Sequence, residues 1–299
     1  MNILKVSVII PTFRRSEVML RRAINSINES YLSNNDFEII VVDDNAEHLD
    51  FRKNNLSLVK SFQETNPNLN ITILLNENNL GGSLSRNYGA RNAKGIYVTF
   101  LDDDDIYLEN KLYEQYKFIN ENYDMIFSNL LISDGKKIID KRIYDVNLND
   151  NNEIMKYHLM YHITGTPTFM LKRELFIEIG GFPEVKMGQE FHLMYNIIKN
   201  NFKIGYLNKD LVKAFIHDGP RISSGKNKID GENKLYEFKK QHMEMFSSKE
   251  WNFIKMRHYA VLAYYSMKSK KYISFLVNSI MSFIASPKQF INELMKRGK

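Results

Sequence analysis

The sequence predicts an α/β protein whose first half is a doubly wound, mostly parallel sheet. The first observation is a set of four short apolar runs rich in β-branched residues, at 5–10, 37–42, 71–75 and 96–101. Continuous runs of this kind are typical of strands buried on both faces. The second observation is that segments with helical spacing separate these runs. Such alternation predicts βαβ units on one sheet.

The predicted elements alternate regularly as far as residue 101. In order they are strand 5–10, helix 18–27, strand 37–42, helix 49–65, strand 71–75, a helix opened by Gly81 and Gly82 and running to about 93, and strand 96–101. The second half is less regular. It is predicted to contain helix 109–121, strand 124–129, a hairpin at 134–135, a loop over 140–152, a strand and a helix within 168–179, helix 188–201, strand 203–207, and helices from about 230 onward with a break at Pro287.

The composition excludes several classes of site. A hydrophobic fraction of 43% in 299 residues is enough for a globular core, and the absence of cysteine excludes disulfides, zinc–thiolate sites and thiol catalysis. The first residues lack the apolar stretch of a signal peptide, so we expect a cytoplasmic protein.

The positive charge lies in the tail of the chain. Nine of the ten charged residues after residue 250 are basic, so this tail carries +8 and the remainder about −2. A nucleic-acid-binding domain would need a basic face of its own, so we expect no nucleic-acid partner.

Four consecutive aspartates, residues 102–105, follow the fourth predicted strand directly. Four like charges repel one another, so the cluster needs water, a helix N-terminus or a bound cation. The plain alternative is that Asp105 caps a helix starting near Ile106. Ligands of parallel sheets bind outside the carboxyl ends of the strands, where Pro11 and Asp44 also lie. We therefore expect these residues to converge on one site.

With these elements in place, the chain resembles the family 2 inverting glycosyltransferases, which have the GT-A fold, and specifically the bacterial surface-polysaccharide type. The resemblance covers about residues 4–225 and rests on the order and spacing of its motifs. These are VSVIIPTF (6–13), FEIIVVDD (37–44), SRNYGA (85–90), Gly95, FLDDDD (100–105), GGF (180–182) and QEFHL (189–193).

The resemblance also implies a domain organisation. A GT-A catalytic domain would span 1–228, with its nucleotide-binding half in 1–105 and its acceptor half in 106–228. Residues 229–299 would form a basic, helical C-terminal extension.

By resemblance, the end of the first strand contacts the nucleotide of a sugar donor. Pro11, Thr12 and Phe13 would line the nucleotide, with Phe13 beside the base, although Phe13 could instead be a core aromatic. Asp44 would accept a hydrogen bond from a nucleobase N–H, which suits the imide of uracil and hence a UDP-sugar. A helix cap is the alternative for Asp44.

Arg86 and Asn87 follow Gly81 and Gly82 at a helix start. A helix N-terminus and an arginine fork both favour anionic groups, so these two residues suit the diphosphate of the donor. Four arginines also follow the first strand. For most of them we expect a solvated helix face: Arg14, Arg15, Arg21 and Arg22.

The family's D-x-D motif falls on Asp102, Asp103 and Asp104. The resemblance makes Asp104 the primary ligand of Mn²⁺ or Mg²⁺, while Asp102 and Asp103 help to hold the ribose and the metal waters. Asp102 and the late His217 would complete the metal shell, although a lone histidine is often structural. Asp105 keeps the helix-cap role.

Glu190 is the candidate catalytic base. The family usually has Glu-Asp at this point, whereas this chain has Gln189-Glu190. The resemblance implies that Glu190 removes the proton of the acceptor hydroxyl in a single inverting displacement. A partner for the helix dipole is the alternative for an acid in a first helical turn.

The apolar segment 272–285 is flanked by lysines and is too short to span a bilayer comfortably. It could rest on the inner face of the plasma membrane as a peripheral contact, or pack against the catalytic domain or a second subunit. The first possibility would suit a lipid-linked acceptor, and the last a homo-oligomer.

The function predicted from these features is metal-dependent transfer of a sugar from a nucleotide-diphosphate sugar to a glycan or lipid-linked acceptor. One alternative is a nucleotidyltransferase, but residues 11–15 lack the glycine-rich loop that such enzymes have after the first strand. The other is a non-catalytic protein that binds sugar nucleotides.

Overall fold

The computed structural model describes residues 4–28, 36–185, 187–216 and 226–297. Within these ranges, nine strands form one mixed sheet. The strands are β1 (Val6–Thr12), β2 (Phe37–Asp43), β3 (Ile71–Leu75), β4 (Tyr97–Phe100), β5 (Ile106–Tyr107), β6 (Met125–Ser133), β7 (Ile138–Arg142), β8 (Met170–Lys172) and β9 (Ile204–Phe215).

The α-helices of the described residues separate or follow these strands. They are α1 (Glu17–Asn28), α2 (Leu49–Thr65), α3 (Gly81–Asn92), α4 (Lys111–Ile119), α5 (Asn151–Tyr161), α6 (Arg173–Glu178), α7 (Gln189–Lys199), α8 (Lys226–Lys240), α9 (Ser248–Lys268), α10 (Tyr272–Ala285) and α11 (Pro287–Arg297). Short 3₁₀ turns occur at Thr166–Thr168 and Met243–Met245.

The strand order is β3-β2-β1-β4-β8-β6-β9-β5, with β7 paired to β6. β1 lies between β2 and β4 and is parallel to both. Thr12 of β1 is in register with Asp43 of β2, and Ile9 of β1 with Phe100 of β4. The carboxyl ends of these three strands therefore meet at one edge, and the α/β class predicted from the sequence is confirmed.

The core forms where β1 and β2 are covered by helices on the sheet. Val8 and Ile10 of β1 cluster with Ile39 of β2 and with Leu20 and Ile24 of α1, and all of these side chains are buried. Branched side chains stand well on a pleated strand, which explains why such runs form the centre of the sheet.

Gly95, just before β4, lies against the backbone of β1. A Cβ atom at this position would be 2.6 Å from the Ser7 backbone nitrogen and 2.6 Å from its hydroxyl oxygen. The Ser7 hydroxyl accepts the Gly95 N–H at 2.8 Å and donates to Glu38 at 2.6 Å. The glycine is therefore required by packing, since backbone cannot move aside as a side-chain tip can.

Replacing Gly95 with alanine is expected to lower the free energy of unfolding by about 1–3 kcal/mol, the usual cost of overpacking a close contact. Urea denaturation of the purified variant measures the change. Ser57→Ala on the exposed side of α2 is the control and should shift stability by less than about 0.5 kcal/mol. An unchanged midpoint for Gly95→Ala would contradict the packing argument.

Three elements differ from the sequence prediction. Residues 106–107 form strand β5, and the following helix begins only at Lys111. Strand β9 runs to Phe215, well beyond the predicted residue 207. Helix α5 (Asn151–Tyr161) begins inside the segment 140–152, which was predicted to be a loop. By contrast, the hairpin joining β6 and β7 is confirmed, with Gly135 at a φ of +90° in its turn.

The chain divides into two compact units. The first comprises 1–151, 163–184 and 189–218, and contains the sheet. The second comprises 152–162, 185–188 and 219–299, so it takes in α5 from the middle of the chain as well as the C-terminal helices. The predicted boundary at residue 228 stays a prediction.

The second unit has its own small core, in which Met160 of α5, Tyr236 of α8 and Trp251 and Met256 of α9 are buried together. The predicted break at Pro287 is confirmed, because α11 starts there. Further breaks at 241–247 and 269–271 were not predicted. None of the helices in the described ranges combines the length and the apolar character needed to cross a bilayer.

Candidate active site

The acidic run lies where the ends of β1 and β4 meet. Arg15, three residues after β1, donates from Nε to Asp103 at 2.8 Å, and its Nη2 lies 3.0 Å from an Asp104 carboxylate oxygen. These residues are almost ninety positions apart in sequence. The predicted convergence of the two strand ends is therefore present, and a guanidinium joins them.

Burial sets the electrostatics of Asp103. Its side chain is almost fully buried, and this burial raises the pKa of Asp103 to about 6, although the Arg15 guanidinium acts in the opposite direction. The charge of the neighbouring Asp104 contributes to the rise. Asp103 therefore takes up a proton more readily than an exposed aspartate does.

A second arginine also reaches the acidic run. Arg22 of α1 donates from Nη2 to the backbone oxygen of Asp104 and lies over the ring of Phe215, with the guanidinium carbon 4.1 Å from the ring centroid. The expected solvated helix face is therefore wrong for Arg15 and Arg22. It holds for Arg21, which pairs with Glu17 on the surface of α1 at 2.7 Å.

Asp105 does not cap a helix, so that prediction is wrong. Its carboxylate accepts the backbone N–H of Phe215 at 3.0 Å, which ties the acidic loop to the end of β9. Asn110, in a left-handed conformation, occupies the N-cap position of α4 instead. Burial, followed by the charges of Asp102 and Asp104, raises the pKa of Asp105 well above its usual range.

Asp44 acts as the cap of α3, the alternative that the sequence left open. Its Oδ1 accepts from the backbone N–H of Leu80 and from the Asn76 amide, and its Oδ2 accepts from the backbone N–H of Gly81. The three distances lie between 2.7 and 2.8 Å. A carboxylate has about four acceptor positions, so the contact of Asp44 with a nucleobase stays a prediction.

Arg86 connects the acidic run to the start of α7. One terminal nitrogen donates to the Asp102 carboxylate, and the other donates to Oε1 of Gln189 at 3.3 Å. Its guanidinium carbon lies 5.5 Å from the centroid of Phe182. The Arg86 Nε atom is buried and has no hydrogen-bond partner among the described residues. A buried donor without a partner is the type of group that a ligand oxygen can satisfy.

Asn87 has a packing role that sequence reasoning did not anticipate. Its amide oxygen accepts from the backbone N–H of Phe182 at 2.9 Å, and its amide nitrogen donates to the Phe182 carbonyl at 2.8 Å. A Cβ at Gly181 would meet this amide at 2.4 Å. Asn87 therefore holds α3 to the glycine turn, and its contact with the diphosphate stays a prediction.

The end of β1 exposes an aromatic ring. Phe13 is 41% exposed, which excludes the core alternative, and its ring lies edge-on to His48 with centroids 5.4 Å apart. Pro11 is partly buried and Thr12 is buried. Phe13 is therefore accessible to a ligand, while its contact with a base stays a prediction.

Glu190 lies in the first turn of α7, next to Gln189, whose side chain accepts a hydrogen bond from Arg86. Its side chain is partly exposed and makes no hydrogen bond or ion pair with another described residue. Burial lowers the pKa of nearby His192, while the charge of Glu190 acts in the opposite direction. The role of Glu190 as the catalytic base stays a prediction.

The predicted metal ligands are described only in part. Asp102 and Asp104 are carboxylates at the end of β4 with side chains 34% and 18% exposed. No group of three acidic or histidine side chains suited to a metal occurs within the described ranges. His217 lies outside those ranges. Two oxygen-donor residues remain, a set that Mg²⁺ or Mn²⁺ accepts when substrate phosphates supply further ligands.

Sequence reasoning missed two residues of this site. Arg15 forms ion pairs with the acidic run. Its position just after β1, the strand that neighbours β4, could have indicated this. Ser83 lies in the first turn of α3, and its hydroxyl is buried without a hydrogen-bond partner among the described residues. The signal for Ser83 was its position directly after Gly81 and Gly82.

Comparison with known proteins finds similarity in sequence. A family model described as Glycosyl transferase family 2 matches residues 7–181. A protein of Campylobacter jejuni named GalNAc(5)-diNAcBac-PP-undecaprenol beta-1,3-glucosyltransferase is 31% identical, over 90% of this chain and 84% of its own length.

Two solved structures share the architecture. One is S. aureus TarS 1–349 in complex with UDP-GlcNAc, with a TM-score of 0.61 and 19% identity, covering 92% of this chain and 90% of that one. The other is the mannosyltransferase PcManGT from Pyrobaculum calidifontis in complex with GDP-Man and Mn²⁺, with a TM-score of 0.61 and 15% identity, covering 96% and 87%. The GT-A fold predicted from the sequence is confirmed.

Proposed function

Because the chain belongs to glycosyl transferase family 2 and is a glycosyltransferase, we propose that it transfers a sugar from a UDP-sugar to a lipid-linked glycan in one inverting displacement. The observation that carries this proposal is the link from Asp102 through Arg86 to Gln189. It ties the acidic run to the helix of Glu190. Family membership favours this reaction over the nucleotidyl transfer and the non-catalytic binding that the sequence left open.

The donor would bind between the end of β1 and the start of α3. The exposed ring of Phe13 offers a stacking surface for the base, and Thr12 and Pro11 precede it at the same strand end. The unpaired Nε of Arg86 and hydroxyl of Ser83 suit the oxygens of a diphosphate. The likeness to a structure with bound UDP-GlcNAc supports UDP as the nucleotide.

Asp104 and Asp102 would hold a divalent cation, Mn²⁺ or Mg²⁺. The donor set fits, because both residues are carboxylates at the end of β4 with partly exposed side chains, and carboxylate oxygens are ligands that Mn²⁺ and Mg²⁺ prefer. When bound, the cation would supply charge stabilisation to the diphosphate. The Mn²⁺ bound to the mannosyltransferase of the same fold supports this assignment.

The reaction would need one base and no covalent enzyme intermediate. Glu190 accepts the proton of the acceptor hydroxyl while that oxygen forms a bond to the anomeric carbon. The bond from that carbon to the diphosphate oxygen breaks, and the electron pair leaves with the nucleotide diphosphate. Attack from the opposite face converts an α-linked donor into a β-linked product. Arg86 would hold α7, the helix of Glu190, at a fixed position relative to Asp102.

The acceptor is proposed from the chain's relatives. The Campylobacter protein is named for an acceptor on PP-undecaprenol, and it covers most of this chain. A polyprenyl-diphosphate glycan is therefore the acceptor class to test first.

The test is a donor and acceptor screen with the purified protein. UDP-glucose, UDP-GlcNAc, UDP-GalNAc and GDP-mannose are each incubated with a polyprenyl-diphosphate glycan and MnCl₂, MgCl₂ or EDTA. We expect UDP release that depends on the acceptor and on the metal, and a β-linked product by NMR. If GDP-mannose were the only donor from which nucleotide is released, the assignment of UDP would be wrong. An α-linked product would contradict a single inverting displacement.

Replacing Arg86 with glutamine is expected to raise the KM for the donor about 10–100-fold, because one or two charge-assisted hydrogen bonds are worth roughly that factor. Initial rates at varied donor concentration measure KM and kcat separately. Arg91→Gln, on the exposed side of the same helix, is the control and should match the wild type. Equal KM values for the Arg86 variant and the control would contradict a donor contact.

A further inference from the structure

The penultimate helix of the chain carries an apolar surface that faces outward. On α10, five aliphatic side chains at positions i, i+3, i+4, i+7 and i+11 are more than half exposed: Ile273 (80%), Leu276 (57%), Val277 (54%), Ile280 (58%) and Ile284 (65%). This spacing puts them on one face of the helix. We refer to these five residues as the α10 stripe.

The opposite face of α10 packs within the second unit. Ser282 is fully buried, and its hydroxyl donates to the Met256 carbonyl of α9 at 2.8 Å. Ala285 packs against the core that contains Trp251. The helix therefore turns a serine inward and its aliphatic stripe outward, the reverse of the pattern of a helix that faces water.

Lysines lie on both sides of the stripe. Lys268, Lys270 and Lys271 precede α10, Lys288 follows it, and all four are exposed. Between residues 251 and 297 the sequence contains one acid, Glu293, against eight bases. The apolar stripe thus lies in a strongly basic part of the chain.

The next helix extends the apolar surface. On α11, Ile291, Leu294 and Met295 recur at i, i+3 and i+4 and are between 47% and 58% exposed. Exposed apolar surface of this extent is rare unless a partner covers it.

The length of α10 decides between crossing a bilayer and lying on it. Its 14 residues span about 21 Å at 1.5 Å per residue. The hydrocarbon core of a bilayer is about 30 Å thick, so the helix is too short to cross it.

We propose that the α10 stripe and its flanking lysines bind the surface of an anionic lipid bilayer, with α10 lying in the plane of the interface. The aliphatic side chains would leave water for the acyl region, and the lysines would meet lipid phosphates. A second copy of this chain would cover the stripe less well. A symmetric contact would bring the two sets of lysines together, and like charges repel.

This proposal deepens the proposed function, because it would hold the enzyme at the surface where a lipid-linked acceptor lies. Binding to lipid vesicles can be measured without donor, acceptor or metal, so either proposal can fail while the other holds.

The experiment is co-sedimentation of the full chain with vesicles of phosphatidylcholine alone or mixed equally with phosphatidylglycerol, without donor or metal. We expect binding to the mixed vesicles, weakened by added salt, and little binding to phosphatidylcholine. I273S/I280S/I284S is expected to weaken binding about 100-fold through lost apolar burial. K270Q/K271Q/K288Q is also expected to weaken vesicle binding about 100-fold, because each lysine contributes about fivefold to the affinity.

Two matched variants control for non-specific effects. V18S/L49S/I143S removes equally exposed aliphatic side chains elsewhere, and K53Q/K60Q/K136Q removes exposed lysines elsewhere. Both should bind as the wild type does. The proposal is overturned if the wild type fails to sediment with anionic vesicles, or if both α10 variants bind normally. It is also overturned if light scattering shows a dimer that the stripe variant converts to a monomer.

Discussion

Replacing Glu190 with glutamine is expected to slow sugar transfer about 10²–10⁴-fold, the usual contribution of a general base. An amide has nearly the same shape as the carboxylate but cannot take a proton from the acceptor hydroxyl. The carboxylate of Glu190 makes no hydrogen bond or ion pair with another described residue, so the substitution should leave the fold and the start of α7 unchanged.

The expected loss for Glu190→Gln lies in kcat, with donor affinity retained. Binding of UDP by calorimetry separates the two, because the donor contacts proposed for Phe13, Ser83 and Arg86 remain in place. Glu184→Gln removes an exposed acid six residues earlier and should transfer sugar at the wild-type rate. A Glu190→Gln enzyme with wild-type kcat would show that another group takes the proton.

The strands of the first half could be predicted because local sequence determines them. The runs that became β1, β2 and β3 are apolar and β-branched, and they pair in parallel with near neighbours. Helix α5 could not be predicted in the same way. It begins with Asn151 and Asn152, which favour turns, and its buried residues include Met160, which joins the core of the second unit. Packing, rather than propensity, stabilises such a helix.

The candidate site was predictable as a place but not as a set of contacts. Parallel strands must bring the residues after β1, β2 and β4 to one edge, whatever those residues are. Which charges then pair depends on distant segments. Asp105 accepts from the backbone N–H of Phe215, 110 residues away, instead of capping a helix as the sequence predicted. Asp44 likewise caps α3 through residues 36 and 37 positions later.

The four aspartates make contacts that differ from the roles predicted from the sequence. Asp102 pairs with Arg86, Asp103 pairs with Arg15, and Asp105 is held by backbone. Asp104 shares Arg15 with Asp103, and its backbone oxygen receives Arg22. Since Arg15 keeps a partner in Asp103 at 2.8 Å, the side chain of Asp104 can bind a cation without leaving that arginine unpaired. This is why Asp104 remains the first choice of metal ligand.

Replacing Asp104 with asparagine is accordingly expected to lower metal-dependent transfer about 10³-fold, because charge stabilisation by a bound cation is worth several kcal/mol. The variant should also need a higher Mn²⁺ concentration for half-maximal rate, which a metal titration measures alongside kcat. Its melting temperature should stay close to that of the wild type, since Arg15 keeps its bond to Asp103. Asp50→Asn, an exposed change in α2, is the control and should alter neither quantity. If Asp104→Asn kept the wild-type response to Mn²⁺, the cation would have to be held without Asp104, and the assignment of the D-x-D motif would be wrong.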